Sequence, residues 1–131
     1  MSSFADISGS IQIDPPIPWR EFADSEFYLP DARRAWRDLR FEVLESRENA
    51  PDGVFIRRTA VAIVAFDGET RGDDLRDELQ MIAERHGTGR TFHGRLDARW
   101  PDYEGSERRF KIVDGQAREY SPLVAWPPES D

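Results

Sequence analysis

Cysteine is absent from the 131-residue chain and lysine nearly so, since of 18 basic side chains only Lys111 is not an arginine. The first absence excludes a disulfide framework, a thiol nucleophile, a Cys-ligated zinc and an iron–sulfur cluster. Histidine is scarce too, with two in the chain, so a transition metal finds few soft ligands and no cofactor is expected. No stretch approaches the ~20 apolar residues of a membrane span. The opening Met1-Ser-Ser-Phe-Ala-Asp6 has neither the basic start nor the apolar run of a signal peptide. The expectation is a cytoplasmic protein with no membrane partner. Repeats and low-complexity tracts are also missing. Positive charge is outnumbered, 18 basic to 26 acidic side chains for a net −8, which opposes binding to a duplex phosphate backbone.

What is present suffices for one core. At this length folding buries roughly two-thirds of the surface that the unfolded chain exposes. The expected organisation is a single domain over residues 8–126, with residues 1–7 and 127–131 as flexible termini. The arginines are scattered among Asp and Glu, which fits the base composition of a GC-rich genome better than selection for forked donors.

Along the chain, Ile11 and Ile13 alternate with polar neighbours, predicting a strand over 8–14 that Pro15, Pro16 and Pro18 end. Trp19, Phe22, Phe27 and Tyr28 then mark an irregular arm over 17–30, pinned to the body by its rings, with a helical turn at 19–23. Asp31 is a candidate N-cap for a helix over 32–38. Alternation predicts a strand from Leu39 to about Glu48, and a turn over 49–53. The apolar run 54–66 reads as the middle strand of a sheet, covered on both faces. Leu75, Leu79, Ile82 and Ala83 recur at i, i+4, i+7 and i+8, predicting an amphipathic helix over 72–86 with Gly87 as a left-handed cap. Strands follow over 92–100, 108–113 and 116–120, and 123–126 is a further edge pairing or a packed tail. Asp114-Gly115 marks a hairpin, either as a two-residue turn or as a type I turn with a bulged glycine.

The fold class is therefore α+β: a mostly antiparallel sheet of five or six strands covered by one main helix (72–86). A β-α-β-β-α-β core with an extra C-terminal hairpin is one arrangement of these elements. Val61, Ile63, Leu75, Leu79, Ile82 and Phe92 are expected in one core.

Chemistry-bearing residues are few. His86-Gly-Thr-Gly-Arg-Thr-Phe-His93 joins both histidines to a glycine turn and an arginine, the raw material of a metal site or a proton relay. The competing reading is structural: a helix C-terminus prefers a cation, which suits His86, and His93 is an outward alternate of its strand. Gly87-Thr-Gly-Arg90 has the wrong spacing for a phosphate loop and follows a helix rather than opening one. Arg33, Arg34, Arg37 and Arg40 flank Trp36 in a cluster that single-stranded nucleic acid could use, but Asp31, Asp38 and Glu42 among them read as a self-neutralising solvated face. Asp73, Asp74, Asp77 and Glu78 read as the polar face of the helix. Trp19, Trp100 and Trp126 are candidates to line a groove.

Three runs carry a resemblance. They are Ser8-Gly-Ser-Ile-Gln-Ile-Asp-Pro-Pro-Ile-Pro-Trp-Arg-Glu21, Arg58-Thr-Ala-Val-Ala-Ile63 and Gly87-Thr-Gly-Arg-Thr-Phe-His-Gly-Arg-Leu-Asp97. Over residues 8–126 the chain resembles a family of short uncharacterised proteins of actinomycete bacteria and their phages. The resemblance implies a cytoplasmic, phage or mobile-element context and carries no activity or site residues with it.

The functional expectation is a non-enzymatic binding or regulatory module for a protein partner or a copy of itself. Its interaction residues would be Trp19, Arg33, Trp36 and Arg37, because unpaired strand edges invite pairing. The alternative is a small-ligand or nucleotide binder using the 86–100 segment through Arg90, His93, Arg95 and Trp100. An enzyme working through His93 with Asp97 or His86 ranks below both. A fluorescence titration against duplex DNA at two salt concentrations should show no binding at physiological salt. Tight, salt-dependent binding lost in an Arg33→Ala, Arg37→Ala variant would instead make nucleic acid the partner.

Overall fold

The computed structural model describes residues 4–28, 37–66, 72, 74–101 and 107–121. Six strands, β1 (Asp6–Pro18), β2 (Leu39–Ala50), β3 (Gly53–Ala65), β4 (Thr91–Arg99), β5 (Arg108–Val113) and β6 (Gln116–Tyr120), form one sheet. Their order is β2-β3-β1-β4-β5-β6, and every neighbouring pair is antiparallel. Two described helices complete the domain, α1 (Trp19–Phe22) and α2 (Leu75–His86). Among the described residues no helix is long and apolar enough to cross a membrane.

The period-two alternation of the strands supplies one apolar face. Phe41, Ile63 and Ile11 lie in cross-strand register, as do Leu96 and Phe110, and all five are buried in one cluster with Leu75, Leu79 and Ile82 of α2. Phe22, Phe27 and Phe41 close that cluster edge to face, at centroid separations of 6.0 and 6.1 Å to Phe41. Residues 19–28 are thus pinned by their rings, as their composition suggested. At the other end, Gln80 Oε1 accepts the Ala117 backbone N–H at 2.9 Å and ties α2 to β6.

Several elements differ from the sequence reading. β1 does not stop at the prolines but continues to Pro18, because its pairing with β3 shifts register between Gln12 and Ile17. A bulge of this kind needs no ladder hydrogen bond from a proline nitrogen. The same strand starts at Asp6, and Ala5 is already buried. β3 is second from the edge, and β1 and β4 hold the middle. Ile63 is fully buried, but Val61 sits opposite the register break between Glu42 and Val43 and lies outside the core cluster, while Phe92 packs against it. The helix is three residues shorter than expected at its start, running Leu75–His86. Gly87 is right-handed (φ −78°) and continues the helical bonding to Ala83 O at 2.9 Å; the left-handed residue is Gly89 (φ 74°). Asp114 and Gly115 both have positive φ, 52° and 77°, and Val113 pairs with Gln116. This is the two-residue turn matched to strand twist. The expected helix over 32–38 falls largely outside the described residues, as does the 123–126 pairing.

Gly9 and Gly94 face each other's strands where β1 meets β4. Both have positive φ, and a Cβ at either would stand 2.4 Å from the neighbouring backbone oxygen, Arg95 O or Ser10 O. No other residue fits there. The helix–sheet core itself is tested by Leu79→Ala: for a fully buried leucine the loss should be about 2–5 kcal/mol in chemical denaturation. A loss below about 0.5 kcal/mol would remove α2 from the core.

Candidate functional site

β2 and β3 are longer than the sheet they belong to. β1 accompanies β3 only to the Pro18–Thr59 pair, whereas β2 and β3 continue pairing from Glu45–Arg58 out to Ala50–Gly53. Residues 45–58 therefore form a two-stranded arm, with Leu44 at its root, that projects past the body by about 20 Å. The sequence explains why the strands persist: β-branched and aromatic residues fill 54–56, and Pro51-Asp52 turns the chain between Ala50 and Gly53.

The arm is apolar where it meets solvent. Leu44, Val54, Phe55 and Ile56 are 58, 60, 55 and 50 % exposed. Pairing puts Glu45–Arg58, Arg47–Ile56 and Asn49–Val54 on one face, and Leu44–Thr59, Ser46–Arg57 and Glu48–Phe55 on the other, so both faces carry large apolar side chains. Three acids (Glu45, Glu48, Asp52) balance three arginines (Arg47, Arg57, Arg58). The arm is electrically neutral on a chain of net charge −8. At its root Arg58 bonds Glu45 at 3.1 Å and lies over the Trp19 ring at 5.2 Å, and Trp19 meets Phe22 and Tyr28 edge to face. Trp19 is 39 % exposed, so the aromatic segment and the arm make one continuous surface.

The other interaction candidates separate. Arg37 belongs to a polar joint: its guanidinium donates to Glu26 at 2.6 Å and lies 5.7 Å from the Phe27 centroid, and Glu26 also pairs with Arg85 of α2 at 3.2 Å. Arg33 and Trp36 lie outside the described residues.

The four ligand candidates are not brought together. Arg90 donates to Pro15 O, His86 O and Glu21 Oε2 at 3.0, 3.1 and 2.8 Å, clamping the β1 bulge and α1 to the end of α2. Phe92 and Trp100 pack against the core. His93 and Arg95 therefore alternate onto the opposite face of β4, facing Gln12 and Ser10 of β1. On that face His93 Nε2 lies 2.9 Å from Thr91 Oγ1, while Arg95 pairs with Asp97 at 3.4 Å and Asp97 with Arg109 at 2.9 Å. Four residues of strand hold His93 about 13 Å from Asp97, too far for a direct base–orienter contact. His86 is on the core side, buried and edge to face with Phe41 at 5.7 Å. Burial first, then the Arg90 charge, lowers its pKa, which works against the cation that its helix-end position favours. Depressions of about 320 and 370 Å³ lie beside Asp6–Ser8 with Asp97–Arg99, and beside Ser8 with Arg40 and Val64. Neither is lined by Arg90, His93, Arg95 or Trp100. Among the described residues no three His, Asp or Glu side chains converge to hold a metal.

One titratable group escaped the sequence reading. Glu78 is not on the polar face of α2 but 2 % exposed in its apolar stripe. Its carboxyl accepts the backbone N–H of Asp38 (3.1 Å to each oxygen) and of Leu39 (3.0 Å). The available signal was its place among Leu75, Leu79 and Ile82 at helical spacing.

All 131 residues match the model of a family of unknown function, DUF6205, and the chain belongs to that family. No curated protein and no solved structure matches it.

Burial raises the Glu78 pKa from 4.5 to about 7, helped by the Asp38 charge and opposed by the two backbone donors and Arg37. Between those values the folded chain holds a proton that the unfolded chain releases. Stability should therefore fall as pH rises from about 4.5 to about 7 and level off above. Glu78→Gln keeps an acceptor for the two N–H groups and cannot ionise. Denaturation across pH should show wild type losing on the order of 3 kcal/mol relative to the variant over that window. Parallel curves would place the Glu78 carboxyl in water.

Proposed function

We propose that this protein is a non-enzymatic binding module that docks a macromolecular partner, or a copy of itself, through the β2–β3 arm. The carrying observation is the exposure of Val54, Phe55 and Ile56 on a ribbon beside which no third strand lies among the described residues, with Leu44 exposed at its root. A two-stranded hairpin alone is marginal in water, and contiguous exposed apolar surface marks interaction sites. The Trp19–Arg58–Glu45 contacts at the root support the same reading, because they brace the arm against the body.

The proposed architecture behind it is a β-α-β-β-α-β core with the β5–β6 hairpin appended. The strand order and the α2 side chains in the core cluster support that reading, with α2 covering the apolar sheet face so that the arm is what remains to be covered.

A photo-cross-linking residue at position 55, in the cell that makes the protein, should give discrete adducts. The same group at Arg76 on the exposed side of α2 should not. Adducts of equal yield at both positions, or none at 55, would remove the arm from docking. Phe55→Ser with Ile56→Thr should abolish the adducts formed from position 54 while changing unfolding free energy by no more than about 0.5 kcal/mol per site, as for exposed positions.

A further inference from the structure

We propose that a second copy of this chain occupies the arm, pairing antiparallel along the distal edge of β3 across a two-fold axis at Phe55. This rests on the docking role of the arm and adds the occupant. One side of residues 53–57 is taken by β2, and among the described residues no strand lies along the other side beyond the Pro18–Thr59 pair, Trp19 reaching only as far as Arg58. Sheet proteins ordinarily blunt such an edge with charge, proline or a covering element. Here it presents Val54, Phe55 and Ile56 in succession, each at least half exposed.

The edge is complementary to itself in one register. An axis at Phe55 sets Phe55 against Phe55 and Val54 against Ile56, all within the paired length of β3. These are the aromatic and β-branched pairs that stabilise antiparallel ladders. Moving the axis one residue breaks this. Centred on Ile56, Phe55 meets Arg57; centred on Val54, Phe55 meets Gly53. Neutrality of the arm lets two copies meet there without the repulsion that a net −8 imposes elsewhere. A nucleic acid finds no positive surplus on the arm. A flat apolar surface covers one face, whereas an added strand flanks side chains on both faces at once. Because the free edge is short, the contact falls below the ~800 Å² per partner of a standard interface, and the dimer is concentration-dependent.

The cysteine-free chain permits a direct test. In the full-length protein Phe55→Cys places two sulfurs at the axis, where cross-strand Cα spacings of about 4.5–5.5 Å are within disulfide reach. Mild oxidation should give a covalent dimer roughly tenfold faster than Ser46→Cys on the β2 edge. Val54→Cys and Ile56→Cys should each cross-link poorly alone and efficiently when mixed. Sedimentation of wild type over a concentration series should show monomer and dimer, and Phe55→Lys should weaken the dimer by roughly tenfold or more. Faster cross-linking at Ser46, or wild type monomeric at every concentration, would overturn the inference. A monomer whose position-55 adducts contain another macromolecule overturns the second copy and leaves the docking role standing. A dimer indifferent to Phe55→Lys overturns this geometry.

Discussion

The buried Glu78 carboxyl is the contact on which the layout of the domain turns. A helix that packs against a sheet must meet it with an apolar stripe, yet a strand that begins beneath that helix brings unpaired backbone donors into the same dry layer. Glu78 resolves the conflict by accepting the N–H groups of Asp38 and Leu39 where β2 starts. Asp38 extends the joint, its carbonyl accepting from Phe66 N at 2.8 Å and its carboxylate from Gly72 N at 3.1 Å. The end of β3, the approach to α2 and the start of β2 are thereby fastened at one point. A carboxyl so placed loses solvation, which is why its proton is held toward neutral pH.

From that joint the hairpin has one direction to run. β2 and β3 leave the fastened end together, pass over the core at Phe41 and Ile63, and continue beyond the last residue of β1. Core contacts stabilise the proximal half. The distal half holds through its own ladder, the Arg58–Glu45 and Arg57–Glu48 pairs at 3.1 and 3.5 Å, and the Trp19 bracket. Exposed ion pairs of this kind contribute little. An arm with half-exposed Val, Phe and Ile and only weak internal support is stabilised most by whatever covers it, and the proposed docking role rests on this.

The polar face of β4 has a different character. Thr91, His93, Arg95 and Asp97 are engaged with one another or with Arg109, forming a ladder of modest pairs rather than a pocket of convergent groups. Arg90, the residue closest to a clamp in the sequence, spends its donors on the β1 bulge, α1 and the α2 terminus. Its role is to close the body around the Gly87–Gly89 turn.

The sequence pattern with its turn residues determined a mostly antiparallel sheet of five or six strands, a helix ending at His86 and a hairpin at Asp114–Gly115, because alternation of two and recurrence near 3.6 record which side of an element meets the core and Asp-Gly favours a tight turn. It also determined that rings would pin the segment after β1, since Trp19, Phe22, Phe27 and Tyr28 have too much apolar area to stay in water. Tertiary structure decided the rest. The apolar run 54–66 reads as one buried strand, yet only its second half is covered, because burial of residues 54–58 depends on whether β1 reaches them, and β1 ends at Pro18, opposite Thr59. Glu78 reads as solvent-facing by residue type, and only the arrival of the Asp38 and Leu39 amides from 39–40 residues away makes its burial tolerable. His86 and His93 are seven residues apart in the chain but on opposite sides of the sheet, because an odd step along β4 from the inward Phe92 turns His93 away.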